Sequence, residues 1–76
     1  MENDQSFLQE KLAVAFLNSS NVTLAHFDFQ NKLCKYAVKA NKPQLLVMYG
    51  RLSGMPYSHM KKRQKLRQLI AQYIRD

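Results

Sequence analysis

Residues 22–40, VTLAHFDFQNKLCKYAVKA, decide whether this chain is wholly helical or mixed. Residues 22–29 alternate, so Thr23, Ala25, Phe27 and Phe29 would share one face of a strand. Over the whole stretch a different period takes over. Phe29, Leu33, Tyr36 and Ala37 recur at helical spacing, and Phe27, Cys34 and Val38 form an adjoining stripe. The periodic run is long for a strand, so a helix over about 24–40 is expected, with a strand at 22–29 as the alternative. Apolar around more than half its circumference, this helix is expected to be the central and most buried one. Lys32, Lys35 and Lys39 would share its remaining, solvated face. The lone cysteine, Cys34, has no partner for a disulfide and no evident base beside it. It is expected to be a buried thiol acting as a small hydrophobe in a reducing compartment.

Three further helices flank this one. Over 5–18, Leu8, Leu12 and Phe16 repeat every four residues, with Ala13 and Leu17 widening the stripe. Asn3, Asp4 or Ser6 can cap its start, and Glu2, Asp4 and Glu10 suit the positive end of its dipole. Asn18-Ser19-Ser20-Asn21 reads as a connector. Asn41 stops the second helix and can cap a third over 42–53, with Pro43 just inside the start and Leu45, Met48, Tyr49 and Leu52 on one face. Gly54 suits a left-handed C-cap, Met55-Pro56 the turn, and Pro56 the opening of a last helix over 56–75. In that helix Leu66, Leu69, Ile70, Tyr73 and Ile74 form the apolar stripe. The expectation is an all-α, single-domain bundle of four helices spanning residues 1–76. Scarce turn residues, two glycines and two prolines, speak against an all-β fold.

The formal charge of +7 belongs entirely to the second half. Residues 1–41 balance four lysines against four carboxylates. Residues 42–76 set Lys42, Arg51, Lys61, Lys62, Arg63, Lys65, Arg67 and Arg75 against Asp76 alone. A neutral half joined to a basic half suggests a scaffold that presents a cationic surface to a polyanion. In the last helix the cations cluster at the start, MKKRQKLR. Unpaired charge is too costly to bury, so that end is expected to project or line a rim.

The segment LVMYGRLSGMPYSHMKKRQ, residues 46–64, resembles the generic pattern of the helix-turn-helix superfamily. Gly50 stands where the two helices would cross closely, Gly54 at the turn, and Met55 and Met60 as inward anchors. Ser53 and Arg63 depart from that pattern, which usually wants apolar residues there. The resemblance implies that Tyr57, Ser58, His59, Lys61, Lys62 and Arg63 face a duplex or its phosphates. Arginine is the better base reader, so Arg63 and Arg67 are the candidates for base contact, with Arg51 as a phosphate clamp. Lys61, Lys62 and Lys65 would supply affinity without sequence information, and Tyr57 and Ser58 would bond phosphate oxygens. The expected function is a small nucleic-acid-binding regulator, with DNA favoured over RNA, and a homodimer fits a two-fold operator.

The rival reading is a helical protein-interaction module, an inhibitor or adaptor of the kind phages and plasmids encode, whose cations meet an acidic protein surface. Membrane binding is disfavoured: the cations cluster at one end of the last helix, and the longest apolar run, LLVMY at 45–49, is far too short to span. The acidic start MENDQSF is unlike a secretory signal, so a cytoplasmic location is expected. No enzyme is expected, and no metal or cofactor. The carboxylates are scattered, His26 and His59 lack ligand spacing, and no phosphate-binding glycine loop is present. His26 reads as a packed or half-exposed histidine.

Overall fold

The computed structural model describes residues 4–76 and is all-α. Helices α1 (Asp4–Asn18), α3 (Phe27–Lys39), α4 (Gln44–Gly54) and α5 (Met60–Arg75) form the bundle, and a single turn, α2 (Asn21–Leu24), precedes α3. Glu2, Asn3 and the side chain of Asp4, to which capping and dipole roles were assigned, lie outside the described residues. No described helix is long and apolar enough to cross a membrane.

The alternating stretch 22–29 is helical in two pieces, not a strand. Ser20 caps α2, its Oγ accepting from the Thr23 N–H at 3.1 Å. His26 caps α3, its Nδ1 accepting from the Asp28 N–H at 3.2 Å. These side chains offer the backbone local partners and break what the apolar period alone reads as one helix from residue 24. His26 is thus an exposed helix cap, not a packed histidine.

Helix α3 ends by a Schellman closure. Asn41 takes φ 55°, Lys42 N–H donates to Ala37 O at 2.9 Å and Asn41 N–H to Val38 O at 3.2 Å. Asn41 stops the helix as expected but does not cap the next one: the N-cap of α4 is Pro43, with no side-chain bond. Gly54 is also not left-handed, and α4 leaves through an extended Met55 at φ −85°, ψ 135°.

Helices α1 and α5 are the principal pair and run antiparallel, with Gln9 beside Ile74 and Phe16 beside Arg67. Helix α4 packs on α5 and on α3, which also meets α1. Leu12, Ala13, Phe16, Leu33, Tyr36, Leu45, Leu52, Ile70 and Ile74 lie in the core, much as their periodicity predicts. Phe16, Phe29 and Tyr49 form an aromatic junction of α1, α3 and α4, with centroid separations of 5.3, 6.0 and 6.4 Å. The Tyr49 hydroxyl donates to Leu24 O and holds α2 against α4.

Helix α3 is not the buried centre. Its second stripe faces solvent: Phe27 is 68% exposed, Val38 77%, and Cys34 is exposed too. Helix α3 packs through one side on α1 and α4, and no described element covers the other. The start of the last helix is likewise displaced. Residues 56–59 form a turn closed by His59 N–H to Pro56 O at 3.0 Å. All four side chains there are exposed, so no core contact supports an earlier helical turn.

Candidate nucleic-acid interface

The cations of α5 divide by residue type. Arg63 is only 6% exposed. Its Nη1 donates to Leu52 O at 2.8 Å and Met55 O at 2.7 Å, and its Nη2 to Asn21 Oδ1 at 2.7 Å. The Tyr57 ring lies over the guanidinium, 4.7 Å from its carbon. Arg67, half-buried, donates through Nε to Phe16 O at 2.6 Å and through Nη2 to Ser19 O. Burial, and then the neighbouring Arg63, lower the pKa of Arg67 from its ordinary value. Arg75 pairs with Glu10 at 2.9 Å on the surface.

These contacts share a logic. The last carbonyls of a helix lack intrahelical partners and carry the negative end of its dipole, where a cation is favourable. Arg67 closes the end of α1 and Arg63 the end of α4 in this way. Lys42 closes α5, its Nζ donating to Tyr73 O and Ile74 O, both at 2.9 Å, between the rings of Tyr36 and Tyr73. Gln9 and the Tyr36 hydroxyl also donate to Ile74 O.

Arg63 and Arg67 are therefore not free to read bases, which corrects the role expected of them. Their charge is inside because neutral carbonyl and amide oxygens from α1, α2 and α4 converge on it, not because a carboxylate does. Asn21 Oδ1, taken from sequence as part of a mere connector, accepts from Arg63 and lies 3.5 Å from Arg67. Sequence spacing places Arg63 and Arg67 on the same side of α5 as Leu66, Ile70 and Ile74, but not the oxygens that receive them.

Arg51, Tyr57, Ser58, His59, Lys61, Lys62 and Lys65 are all exposed. Ser58, His59, Lys61 and Lys62 gather around a shallow depression of about 290 Å³. Tyr57 instead joins Arg63 and Arg67 at a cleft of about 120 Å³. Arg51, on α4, lines neither. Among the described residues Arg51, Lys61, Lys62 and Lys65 have no hydrogen-bonded or ionic partner within the chain. Of eight cations beyond residue 41, four are thus engaged and four are free.

The start of α5 breaks the usual rules for a helix end. Its first turn holds Lys61, Lys62 and Arg63 and no acid, and His59 makes no side-chain cap. Positive charge at the positive end of the dipole is unfavourable, and Lys61 and Lys65 add like-charge repulsion at i, i+4. An anion at this point relieves all three.

The features that carried the helix-turn-helix resemblance fare less well. A Cβ at Gly50 or Gly54 meets nothing within 4 Å, so neither glycine marks a close crossing. Met60 is 75% exposed and anchors nothing, although Met55 is half-buried. Leu69, expected on the apolar stripe, faces solvent. No family model, curated protein or solved structure matches the chain.

Proposed function

We propose that the protein binds duplex DNA through the start of α5, with Lys61, Lys62 and Lys65 neutralising backbone phosphates. The observation that carries this reading is a helix end with exposed Lys61 and Lys62 in its first turn, Lys65 one turn on, no acid and no cap. Helix N-termini with free N–H groups and adjacent lysines donate to phosphate oxygens without needing the base sequence. Ser58 and His59, on the turn beside Lys61 and Lys62, are placed to add polar contacts to the same phosphates.

With Arg63 and Arg67 committed internally, the affinity in this reading is chiefly electrostatic. Gln64 and Gln68, exposed on the same outer side of α5, are the side chains able to reach base edges. Duplex is favoured over unpaired RNA because no tyrosine offers a free stacking face. Tyr36 is buried, Tyr49 and Tyr73 are half-buried, and the exposed Tyr57 already covers Arg63.

Anisotropy titration with random duplex and with single-stranded RNA, at several salt concentrations, tests the proposal. Changing Lys61, Lys62 and Lys65 together to glutamine is expected to remove most duplex affinity and to lower the salt slope by about 3. Salt-independent binding, or affinity unaltered by the triple change, refutes it.

A further inference from the structure

The face formed by α1 and α3 lies apart from the start of α5 and carries a separate inference, which does not rest on the DNA reading. Helix α1 is apolar on two sides. Leu12, Ala13 and Phe16 enter the core, while Phe7, at 70% exposure, and Val14 face outward, with Leu8 and Ala15 half-covered between them. A helix apolar nearly all round is normally enclosed on all sides, and this one is enclosed on one.

Beside that uncovered side runs a trough. One hollow of about 430 Å³ lies between α1 and the α2–α3 corner, and a second of about 530 Å³ lies between the start of α1 and the end of α3. Leu8 walls both, so the two adjoin along α1. Their lining puts Gln5 with Lys39 and Ser19 with Asp28, so α1 and α3 run antiparallel along the trough. From residue 5 to residue 19 it is about 21 Å long, or about four helical turns.

The rim is positive. Lys11 and Lys32 border the first hollow, Lys35 and Lys39 the second, and Asp28 is the sole carboxylate among the lining residues. The only other nearby acid on α1 with a described partner, Glu10, is held by Arg75. An apolar floor of helix-groove length between rows of lysine fits one kind of occupant: a helix with apolar residues at i, i+3, i+4 and i+7, flanked by Asp or Glu. A second copy of this chain would set the same lysines against one another. A lipid surface is met by a convex apolar face and does not fill a trough.

We infer that the trough between α1 and α3 is a docking site for an acidic amphipathic helix of a partner protein. Leu8, Ala15 and Val38 supply the apolar contact, and Lys11, Lys32, Lys35 and Lys39 select for the acidic flanks.

The test uses two labelled helical peptides of about 18 residues that share one leucine face, one with glutamate flanks and one with lysine flanks. The full chain should bind the glutamate peptide at least about tenfold tighter, with affinity falling at high salt. Val38→Asp, at an exposed position of the lining, should weaken it by about tenfold or more while circular dichroism stays unchanged. Changing Lys32, Lys35 and Lys39 together to glutamate should reverse the preference between peptides. The Lys61, Lys62 and Lys65 glutamine variant should bind the peptide normally, which separates this site from the DNA surface. Equal affinity for both peptides, no binding, indifference to Val38→Asp, stronger binding to phosphatidylglycerol vesicles than to the peptide, or self-association that buries Val38 would each overturn the inference.

Discussion

Arginine and lysine on α5 carry the same charge and meet opposite fates. Arg63 and Arg67 turn inward and close the ends of two other helices, whereas Lys61, Lys62 and Lys65 remain in water. The guanidinium is planar, weakly hydrated and carries five donors, so one group can satisfy several oxygens held in a fixed arrangement. The ammonium is a compact, strongly hydrated charge and costs more to bring in. Lys42 goes partly inside only where two carbonyls and two aromatic rings receive it. Net charge in a sequence therefore overstates what is available to a ligand, and the identity of each cation says which part is.

The strongest way to break this comparison is Arg63→Ala. It strands Met55 O, takes a donor from Leu52 O and Asn21 Oδ1, and should lower unfolding free energy by about 2–4 kcal/mol in urea denaturation. Arg63→Lys keeps the charge but loses the fork, and should still cost about 1–3 kcal/mol. If the lysine variant is as stable as the parent, charge and not geometry closes α4. Lys42→Met retains the stem over Tyr36 and Tyr73 but removes the donors to α5, for an expected loss of about 1–2 kcal/mol. Asn41→Ala puts a Cβ-bearing residue with no local bonding into a left-handed position and should cost about 1 kcal/mol, while Asn41→Gly should be nearly neutral.

The lysines should behave in the opposite sense. Lys61→Glu supplies an acid to the first turn of α5 and should raise stability by about 0.3–1 kcal/mol, an effect that fades with salt, while weakening duplex binding. A destabilising Lys61→Glu would mean that Lys61 has an internal partner after all. The smallest change expected is Arg75→Ala. Its pair with Glu10 is exposed, and its loss should shift stability by no more than about 1 kcal/mol.

Much of the architecture was legible because apolar spacing reports burial directly. The stripes of α1 and α4 match the buried faces at Leu12, Phe16, Leu45 and Leu52. The break at His26 was not legible in that signal, because a side chain bonding its own backbone leaves no mark on hydrophobic period. The burial of α3 was overestimated for a different reason. Periodicity shows that Phe27, Cys34 and Val38 share a stripe, but not whether another element packs on it. The candidate site divided along the same line. Exposure of Lys61, Lys62 and Lys65 follows from their surroundings on the helix. The fate of Arg63 and Arg67 depends on oxygens at residues 16, 19, 21, 52 and 55, which meet only in the folded state.

The clasp around Ile74 O also sets an order of events during synthesis. Gln9 reaches that carbonyl across 65 residues and Tyr36 across 38. Helix α1 is made before α5 and thus waits for the end of that helix before its pairing is complete, and until then its leucines and phenylalanines are open to other chains. Slow translation anywhere between α1 and the end of α5 lengthens that vulnerable interval.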